Sequence, residues 1–418
     1  MNPNKYKKII VTICRLLIGL VFIFSGFVKA VDPWGSAYKF HDYFVAWNIT
    51  FLDFSSLPAS FFLSALEFVL GVCLLAGVYR RIVSGIILLF MSFMTVLTLY
   101  LAIFNPVTDC GCFGDALIIT NWQTFYKNLI LIAAAVIIFV WRKQVVSLFS
   151  VKSRSLVVLF TGLFILSVSF YSYIYLPVLD FRPYKIGNNI NALMQIPEGA
   201  ERDVYETVFM YEKDGIKQEF SLSNYPQEDS GWTFVETINT LVKKGYEPKI
   251  HDFALISANG DDLTEEILSN SGYTFLLIIH KLEQADDANV DQINELYDYA
   301  HQHGYPFFCL TASTPQQITE WWESTGAEYP FCTVDDVTLK TVIRSNPGVL
   351  LLQDANIVNK WPHSRLPKGE ALQQPLEESV LGVPPANHDT RNVVALAIGL
   401  IAVLALVWVF DKKRQKKN

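Results

Sequence analysis

Two cysteines separated by one glycine, Cys110 and Cys112, are the residues whose types and spacing most directly suggest chemistry. They lie in the stretch NPVTDCGCFGDALI, between two long apolar runs. A disulfide between such close cysteines closes a small strained ring, and strain makes the bond easier to reduce. Gly111 eases the bend that this ring requires. The pattern therefore predicts a reducible pair suited to disulfide exchange.

Two other interpretations of the pair stay open. The cysteines form a static disulfide or two free thiols, or they join Asp109 and Asp115 in a metal site. No histidine or third cysteine lies nearby in the sequence, so we assign no metal. The two aspartates also weigh against reactivity, because nearby negative charge raises the pKa of a thiol. Lys29 or Lys127 would have to offset them.

Three charged residues near the ends of apolar runs are candidates to support the cysteines. Glu67 lies about two turns inside its run, where an ionisable side chain is costly and is normally paired. Lys29 and Lys127 stand at the ends of other runs and are its candidate partners. Such a cluster either locks the helices together or shifts the pKa values of the thiols.

The stretch DPWGSAYKFHDYFVAWNITFLDF, residues 32–54, is crowded with aromatic side chains. This composition is typical of an amphipathic helix or an aromatic belt at the membrane surface. A sharper hypothesis is a quinone headgroup site with His41 as the proton partner and Trp34 beside it. Quinone is the cofactor that the sequence suggests.

Membrane helices must position these residues. The chain has 418 residues, of which 51% are hydrophobic, and its mean hydropathy is +0.29. Apolar runs of about 18 or more residues are typical of membrane-spanning helices. Six such runs are present, at roughly residues 9–28, 60–79, 82–104, 125–141, 156–176 and 392–410.

Lysine and arginine near the ends of these runs predict the orientation. Basic clusters precede the first run, separate the second from the third and the fourth from the fifth, and end the chain as DKKRQKKN. Six spans place all of these clusters and both termini on one side, the cytoplasm. Cys110, Cys112 and residues 177–391 then face an oxidising compartment. We expect a multi-pass inner-membrane protein, and nothing suggests nucleic acid as a partner.

The polar region carries strand and helix patterns. YETVFMYEKDGIKQEFSLS predicts a hairpin that turns at Asp214-Gly215, and FALISANGDDL predicts a second, shorter one. YTFLLIIH, residues 273–280, is continuously apolar, as expected of a strand buried on both faces. Further strands are predicted in YPFFCLTAS and PGVLLLQDANIVNKW, with helical patterns between them that end at Gly304 and Gly326.

This strand order resembles a thioredoxin-like fold of the TlpA or peroxiredoxin type over roughly residues 250–366. The resemblance implies a cis peptide bond before Pro347. It also implies a C-x-x-C motif after the first central strand, where this chain reads HKLEQADDANV without a cysteine. Lacking that thiolate, the domain is expected to bind or dock rather than to exchange disulfides. Cys309 and Cys332 are either buried apolar residues or a structural disulfide.

RLLIGLVFIFSGFVKAVDPWG and ALEFVLGVCLLAGVYRR resemble the first two helices of the DoxX family. CGCFGD resembles the MauE branch, a four-helix membrane family linked to periplasmic disulfide handling. Fusion to a thioredoxin-like domain resembles a Bacteroidetes arrangement, which implies a periplasm outside the membrane. The predicted fold class is an α-helical membrane bundle with six spans in total plus a soluble α/β thioredoxin-like domain. The expected divisions are a DoxX/MauE-like four-helix domain (1–145), a fifth helix (155–176), an extension with a β-hairpin (177–249), the thioredoxin-like domain (250–370), a linker (371–391) and a C-terminal helix (392–410).

Two functions compete at this point. In one, the chain is a membrane oxidoreductase component in which Cys110 and Cys112 pass electrons between a periplasmic thiol partner and either quinone or a second thiol pair. In the other, it is a non-catalytic scaffold whose degenerate thioredoxin-like domain binds a periplasmic partner. The CGC motif favours the first function, and the missing C-x-x-C favours the second.

Overall fold

A computed structural model describes residues 3–201, 203–221, 224, 226, 231–243, 245–385 and 388–417. Within these residues, six helical segments are long and apolar enough to cross a membrane. They are Lys5–Val31, Thr50–Ala76, Arg80–Phe104, Asn121–Val140, Val151–Ile174 and Arg391–Gln415. Each corresponds to one of the runs read from the sequence, so the prediction of a six-span membrane protein is confirmed.

The membrane bundle is built from six consecutive helices and the last helix of the chain. These are α1 (Pro3–Val31), α2 (Pro33–Ala46), α3 (Ser56–Ala76), α4 (Arg80–Phe104), α5 (Asn121–Val140) and α6 (Arg154–Ile174), followed much later by α12 (His388–Lys417). Helix α2 does not span. It is the short helix expected in the aromatic stretch, and Asp32 caps it by accepting from the Gly35 amide at 2.9 Å.

Helices α1 and α3 pack with their backbones close together. A Cβ atom on Gly26 would lie 2.5 Å from the backbone nitrogen of Phe68, and one on Gly71 would lie 2.8 Å from the carbonyl oxygen of Gly19. Small residues of this kind allow membrane helices to approach closely. The close packing brings Glu67, near the middle of α3, against the C-terminal end of α1, which carries Lys29.

The C-terminal helix is held to the bundle by a buried carboxylate. Asp411 of α12 accepts from the Ser150 amide at 2.8 Å and from the Ser153 hydroxyl at 2.6 Å, and it also accepts from the Ser150 hydroxyl. These serines lie just before α6. The start of α6, which precedes the soluble domain in the sequence, and the end of α12, which follows it, are therefore hydrogen-bonded to each other at one end of the bundle.

A six-stranded mixed sheet forms the core of the soluble domain. Its strands are β4 (Ile256–Ser257), β5 (Tyr273–Ile279), β6 (Phe307–Thr311), β7 (Phe331–Thr333), β8 (Gly348–Gln353) and β9 (Asn356–Pro362), in the order β4-β7-β6-β5-β8-β9. Strand β5 is parallel to β6 and antiparallel to β8. Helices α9 (Val290–His303), α10 (Pro315–Thr325) and α11 (Asp336–Val342) connect the strands, with short helices α7 (Ile190–Met194) and α8 (Thr264–Leu268) before them.

This arrangement is the thioredoxin-like architecture that the sequence indicated. All seven residues of β5 are buried, as the continuous apolar run requires of a central strand. The Asn346–Pro347 peptide bond is cis, as expected ahead of β8. The chain is thus an α-helical membrane bundle joined to a soluble α/β thioredoxin-like domain, and the finer domain limits stay predictions.

The extension before this domain is a three-stranded sheet rather than a lone hairpin. Strands β1 (Val204–Lys213) and β2 (Ile216–Ser221) form the expected hairpin through Asp214-Gly215, where both residues have positive φ angles of 52° and 77°. Strand β3 (Thr233–Lys243) pairs with the other edge of β1. The second predicted hairpin is present in a very short form: Ile256 and Asp262 form an antiparallel bridge, and the Leu263 amide donates to the Leu255 carbonyl at 2.9 Å. The strand β4 within it also pairs with β7.

A disulfide between Cys309 and Cys332 is excluded by the sheet register. Cys309 on β6 lies opposite Phe331 on β7, whereas Cys332 lies opposite Leu310. Because side chains alternate between the two faces of a sheet, the two thiols point to opposite sides. Each is buried in a different core cluster, and both are free. The alternative interpretation, two buried apolar residues, is the one that the structure supports.

Candidate functional site

The cysteine pair lies on a loop whose two ends are fixed. Asn105 ends α4 with a φ angle of 44°, and the Asn121 side chain at the start of α5 donates to Asn105 Oδ1 and to the Val107 carbonyl, both at 2.9 Å. Thr120 and Gln123 form a capping box that starts α5. Both ends of the loop that carries the cysteines are therefore held in place by α4 and α5.

The two sulfur atoms are adjacent. Cys110 Sγ and Cys112 Sγ lie 3.0 Å apart, and both cysteines are free thiols. Gly111 between them has a φ angle of +67°, and a Cβ atom there would lie 3.0 Å from the Lys39 side chain. The reversal of the chain that brings the sulfurs together thus needs glycine at this position.

The backbone on both sides of Gly111 is held by side chains of the bundle. The Tyr43 hydroxyl of α2 donates to the Cys110 carbonyl at 3.0 Å. Ser25 and Lys29 of α1 each donate to the Cys112 carbonyl at 2.7 Å. These three bonds fix the loop against α1 and α2.

Lys29 is also the partner of Glu67. Its ammonium lies 2.9 Å from Glu67 Oε2, and both side chains are almost fully buried. The other candidate cation, Lys127, lies 4.2 Å above the ring of Phe113 instead. The expected pairing of Glu67 with one of the two lysines is confirmed for Lys29, which joins this ion pair to the backbone of the cysteine loop.

The two thiols have opposite electrostatic character. The hydrogen bond from Cys110 lowers the pKa of Cys112 to about 6 against the effect of burial, and Lys127 and Lys29 also favour the thiolate, while Glu67 opposes it. The same hydrogen bond and burial raise the pKa of Cys110 well above its usual range. Cys112 is also the more exposed of the two. The arrangement therefore favours the thiolate at Cys112 and the protonated thiol at Cys110.

The neighbouring aspartates do not bring free negative charge to the thiols. Asp109 accepts from the Lys39 ammonium and from the Gly111 amide, both at 2.8 Å. Asp115 accepts from the Arg344 guanidinium at 3.2 Å. Each aspartate therefore has a cationic partner, and Lys127 and Lys29 favour the Cys112 thiolate. The effect of the aspartates on the thiols stays a prediction.

The residues of the suggested quinone site do not line a common cavity. The Trp34 ring stacks on Tyr38 and on Tyr173 of α6, with centroid distances of 6.0 and 5.5 Å. His41 is exposed, and its Nδ1 lies 2.9 Å from Asp53 Oδ1. Most of the residues that line the cavity bordered by His41 are polar or charged, and Trp34 is not among them. The quinone hypothesis stays a prediction.

That cavity, of about 360 Å³, lies between the cysteine loop and the soluble domain. Gly111 and Asp115 contribute one wall, α2 a second, and residues Asp180 and Arg344 the opposite side. Arg344 crosses the boundary: its Nη2 lies 2.7 Å from Asp32 Oδ2, and its Nε lies 3.1 Å from each Asp32 oxygen. The soluble domain therefore docks beside the cysteine pair. Among the residues that the structure describes, no three His, Cys, Asp or Glu side chains are grouped as metal ligands would be.

Sequence reasoning missed four residues of this site. Ser25 lies one helical turn before Lys29, so the helical spacing in the sequence could have predicted that both side chains share one face of α1. Lys39 and Tyr43 lie one turn apart on α2 in the same way, but their target loop is distant in sequence. Arg344 follows Asp115 by 229 residues, and no local pattern predicts such a contact.

Comparison with known families agrees with the division into two parts. The family model of the methylamine utilisation protein MauE matches residues 7–141, which contain most of α1 and all of α2 to α5. A second model, described as a domain of unknown function (DUF8463), matches residues 205–244, the three-stranded sheet. The chain has no significant match among curated proteins.

Solved structures similar to this chain include three of thiol or peroxide chemistry. The thioredoxin domain of a thiol-disulfide oxidoreductase from Bacteroides vulgatus is 12% identical, covers 26% of this chain and 81% of its own, and has a TM-score of 0.23. The bacterioferritin comigratory protein of Xanthomonas campestris is 12% identical, covers 28% of this chain and 82% of its own, and has a TM-score of 0.23. A putative protein disulfide isomerase from Bacteroides thetaiotaomicron is 15% identical, covers 27% of this chain and 76% of its own, and has a TM-score of 0.23. At these scores, the thioredoxin-like assignment rests on the strand order and not on the likeness.

Proposed function

Because the chain joins a MauE-like membrane domain to a thioredoxin-like domain, we propose that it takes part in thiol–disulfide exchange at the membrane, with Cys110 and Cys112 as the exchanging pair. The observation that carries this proposal is the 3.0 Å contact between the two sulfurs, together with the low pKa of Cys112. A thiolate at neutral pH is what attack on a disulfide requires.

The proposed exchange is balanced between two proteins. The Cys112 thiolate attacks a partner disulfide, the partner's S–S bond breaks, and a mixed disulfide forms while the released partner thiolate takes up a proton. Cys110 then loses its proton and attacks Cys112 Sγ, which forms the Cys110–Cys112 bond and releases the second partner thiol. Two electrons pass to the partner together with the proton of Cys110, and the partner takes its second proton from solvent. A partner dithiol drives the same steps in reverse.

The proposed location of this exchange is the periplasmic side of an inner membrane. Both termini would lie in the cytoplasm and residues 177–391 in the periplasm, as the basic clusters predict. The proposed partner is a periplasmic protein that carries a dithiol or a disulfide. Since the soluble domain has no cysteine in residues 281–290, the membrane loop supplies the thiols.

The competing proposal is a non-catalytic scaffold. It is favoured by the docking of a cysteine-poor thioredoxin-like domain against the cysteine loop through Arg344. In that role the domain would bind a periplasmic partner, and the CGC loop would serve only as part of its docking surface.

Differential alkylation of intact cells across a redox titration separates the two proposals. If the pair exchanges disulfides, Cys110 and Cys112 should be alkylated together under reducing conditions and protected together, as a disulfide, under oxidising conditions. Exchange also predicts that Cys110→Ser, which removes the resolving thiol, accumulates mixed disulfides through Cys112. The matched control is Cys309→Ser, which removes a thiol buried in the soluble domain.

The scaffold proposal replaces exchange under a different set of results. These are thiols that stay reduced throughout the titration, or oxidised under strong reductant, with full function retained when both cysteines are replaced by serine. A mixed disulfide that also forms when Cys112 is replaced would contradict its assignment as the nucleophile.

A further inference from the structure

Arg344 of the soluble domain contacts the cysteine loop at Asp115. It stands between α11 and β8, directly before Ser345 and the cis bond at Pro347. Its guanidinium donates to both oxygens of Asp32, to Asp115, and through Nη1 to the Lys340 carbonyl at 2.7 Å. Every nitrogen of the side chain therefore has a partner, in the fork geometry that only arginine provides.

This contact is buried and balanced in charge. The Arg344 side chain is 6% exposed and that of Asp32 is 16% exposed. Close behind lies a second set of ion pairs, in which Asp180 accepts from Arg182 at 2.8 Å and from Lys360 at 3.0 Å. Asp32, Asp115 and Asp180 thus face Arg344, Arg182 and Lys360 where the bundle, the segment after α6 and the soluble domain meet. Removal of one cation would leave negative charge without a partner beside the cysteine loop.

Asp115 connects this cluster to the thiols through one turn of chain. It lies in the short 3₁₀ helix Gly114–Ala116, and the Gly114 amide donates to the Gly111 carbonyl at 3.2 Å. Phe113 before it packs against Phe24 of α1 with a centroid distance of 5.4 Å. A displacement of Asp115 would therefore pull on the segment that Ser25 and Lys29 hold at Cys112.

We propose that Arg344 is a positioning residue for the Cys110–Cys112 loop, and that the thioredoxin-like domain acts as a docked clamp on the thiol pair of the membrane domain. The domain would thereby contribute to thiol chemistry without a cysteine of its own. This inference rests on the proposed role of Cys112 as the exchanging thiolate. It adds that the thiolate depends on a residue more than 200 positions away in sequence.

The rate at which iodoacetamide alkylates Cys112, measured against pH on the full chain in detergent, tests the proposal. The charged and titratable groups that surround this thiol are Cys110, Lys29, Glu67, Lys127 and Tyr43, together with the Lys39–Asp109 ion pair beside Gly111. Arg344→Ala leaves all of these groups in the chain. It frees Asp32 and Asp115 from their cation and loosens the loop from Lys29, and both effects disfavour the thiolate. We expect the midpoint of the curve of alkylation rate against pH to rise by about one pH unit.

Two further variants make the result decisive. Arg344→Lys keeps the charge but not the fork, so it should give a smaller rise in the same direction and serves as the gentler variant if Arg344→Ala does not fold. Arg365→Ala is the matched control, because Arg365 belongs to the same domain and lies 3.6 Å above the ring of Tyr175 at the end of α6, away from the cysteine loop. Its midpoint should equal that of the unmodified chain.

An unchanged midpoint in Arg344→Ala or, if that variant does not fold, in Arg344→Lys would overturn the proposal. So would an equal rise in Arg365→Ala, since that result would mean that any loss of contact between the domains has the same effect. Alkylation needs no exchange partner. A failure of this test therefore leaves the proposed exchange in place, and a failure of exchange in cells leaves this test interpretable.

Discussion

The Lys29 ammonium lies 2.9 Å from the Glu67 carboxylate inside the membrane bundle, and both side chains are shielded from solvent. The same ammonium donates to the Cys112 carbonyl. One ion pair thus joins α1, α3 and the cysteine loop, so its removal should affect both the stability of the bundle and the reactivity of the thiols.

Glu67→Gln should destabilise the folded protein strongly. Removing one member of a buried ion pair leaves the other charge without compensation, at a cost of about 3–5 kcal/mol in the free energy of unfolding. Thermal unfolding in detergent measures the effect. Lys127→Met is the control and should change stability much less, because Lys127 contacts an aromatic ring rather than a buried carboxylate. Equal losses in the two variants would argue against a special role for the pair.

The rate of Cys112 alkylation, plotted against pH, should have its midpoint near pH 6 in the unmodified chain, because the pKa of Cys112 is lowered to about 6. Its reactive thiolate is present above that pH and is lost as the pH falls through it. Cys110→Ala removes the hydrogen bond that contributes most to this shift, so the midpoint should move upward. Cys110→Ser, which keeps a hydroxyl donor, should move it less. A midpoint that is the same in all three proteins would contradict this account of the shift.

Reporter fusions after Lys152 and after Gly199 should report opposite sides of the membrane. Segment Val151–Ile174 separates the two positions and is long enough to span. A fusion at the C-terminus should report the same side as the fusion after Lys152, because the last span returns the chain. If the first two fusions agreed, the six-span orientation would have to be abandoned.

Oxidation should never link Cys309 to Cys332 in the folded protein. Their side chains lie on opposite faces of the sheet, and a disulfide needs Cβ atoms that face each other. Peptide mapping after mild oxidant treatment of the folded chain checks this, with the same treatment in denaturant as the comparison. A linked peptide obtained only without denaturant would show that the register is wrong.

Sequence periodicity and local spacing were enough for much of this molecule. Apolar run length predicted the spans, and Cys110 and Cys112 are so close in the chain that any fold keeps them near each other. Glu67 required a partner because of its depth, and few cations were available at that level. Physical constraints of this kind act on one residue or one helix at a time.

Contacts that depend on two distant elements could not be read in the same way. Arg344 meets Asp115 only after the whole soluble domain has folded and docked. The faces occupied by Cys309 and Cys332 depend on β7, a strand of three residues that no pattern marked. Strand β3 was missed because its sequence is largely polar and its residues are mostly exposed, so it lacks the alternation that a half-buried strand shows.

The soluble domain leaves the bilayer after α6 and returns to it at α12, so it is tethered at both ends. The Asn392 side chain near the start of α12 donates to the Val178 carbonyl at 3.5 Å, which keeps the two tethers together. A short double tether holds a domain at an effective concentration of roughly millimolar or more relative to its own docking site. Even a weak contact with the cysteine loop would then be occupied most of the time. A free copy of the domain, added at micromolar concentration, should therefore compete poorly with the attached one.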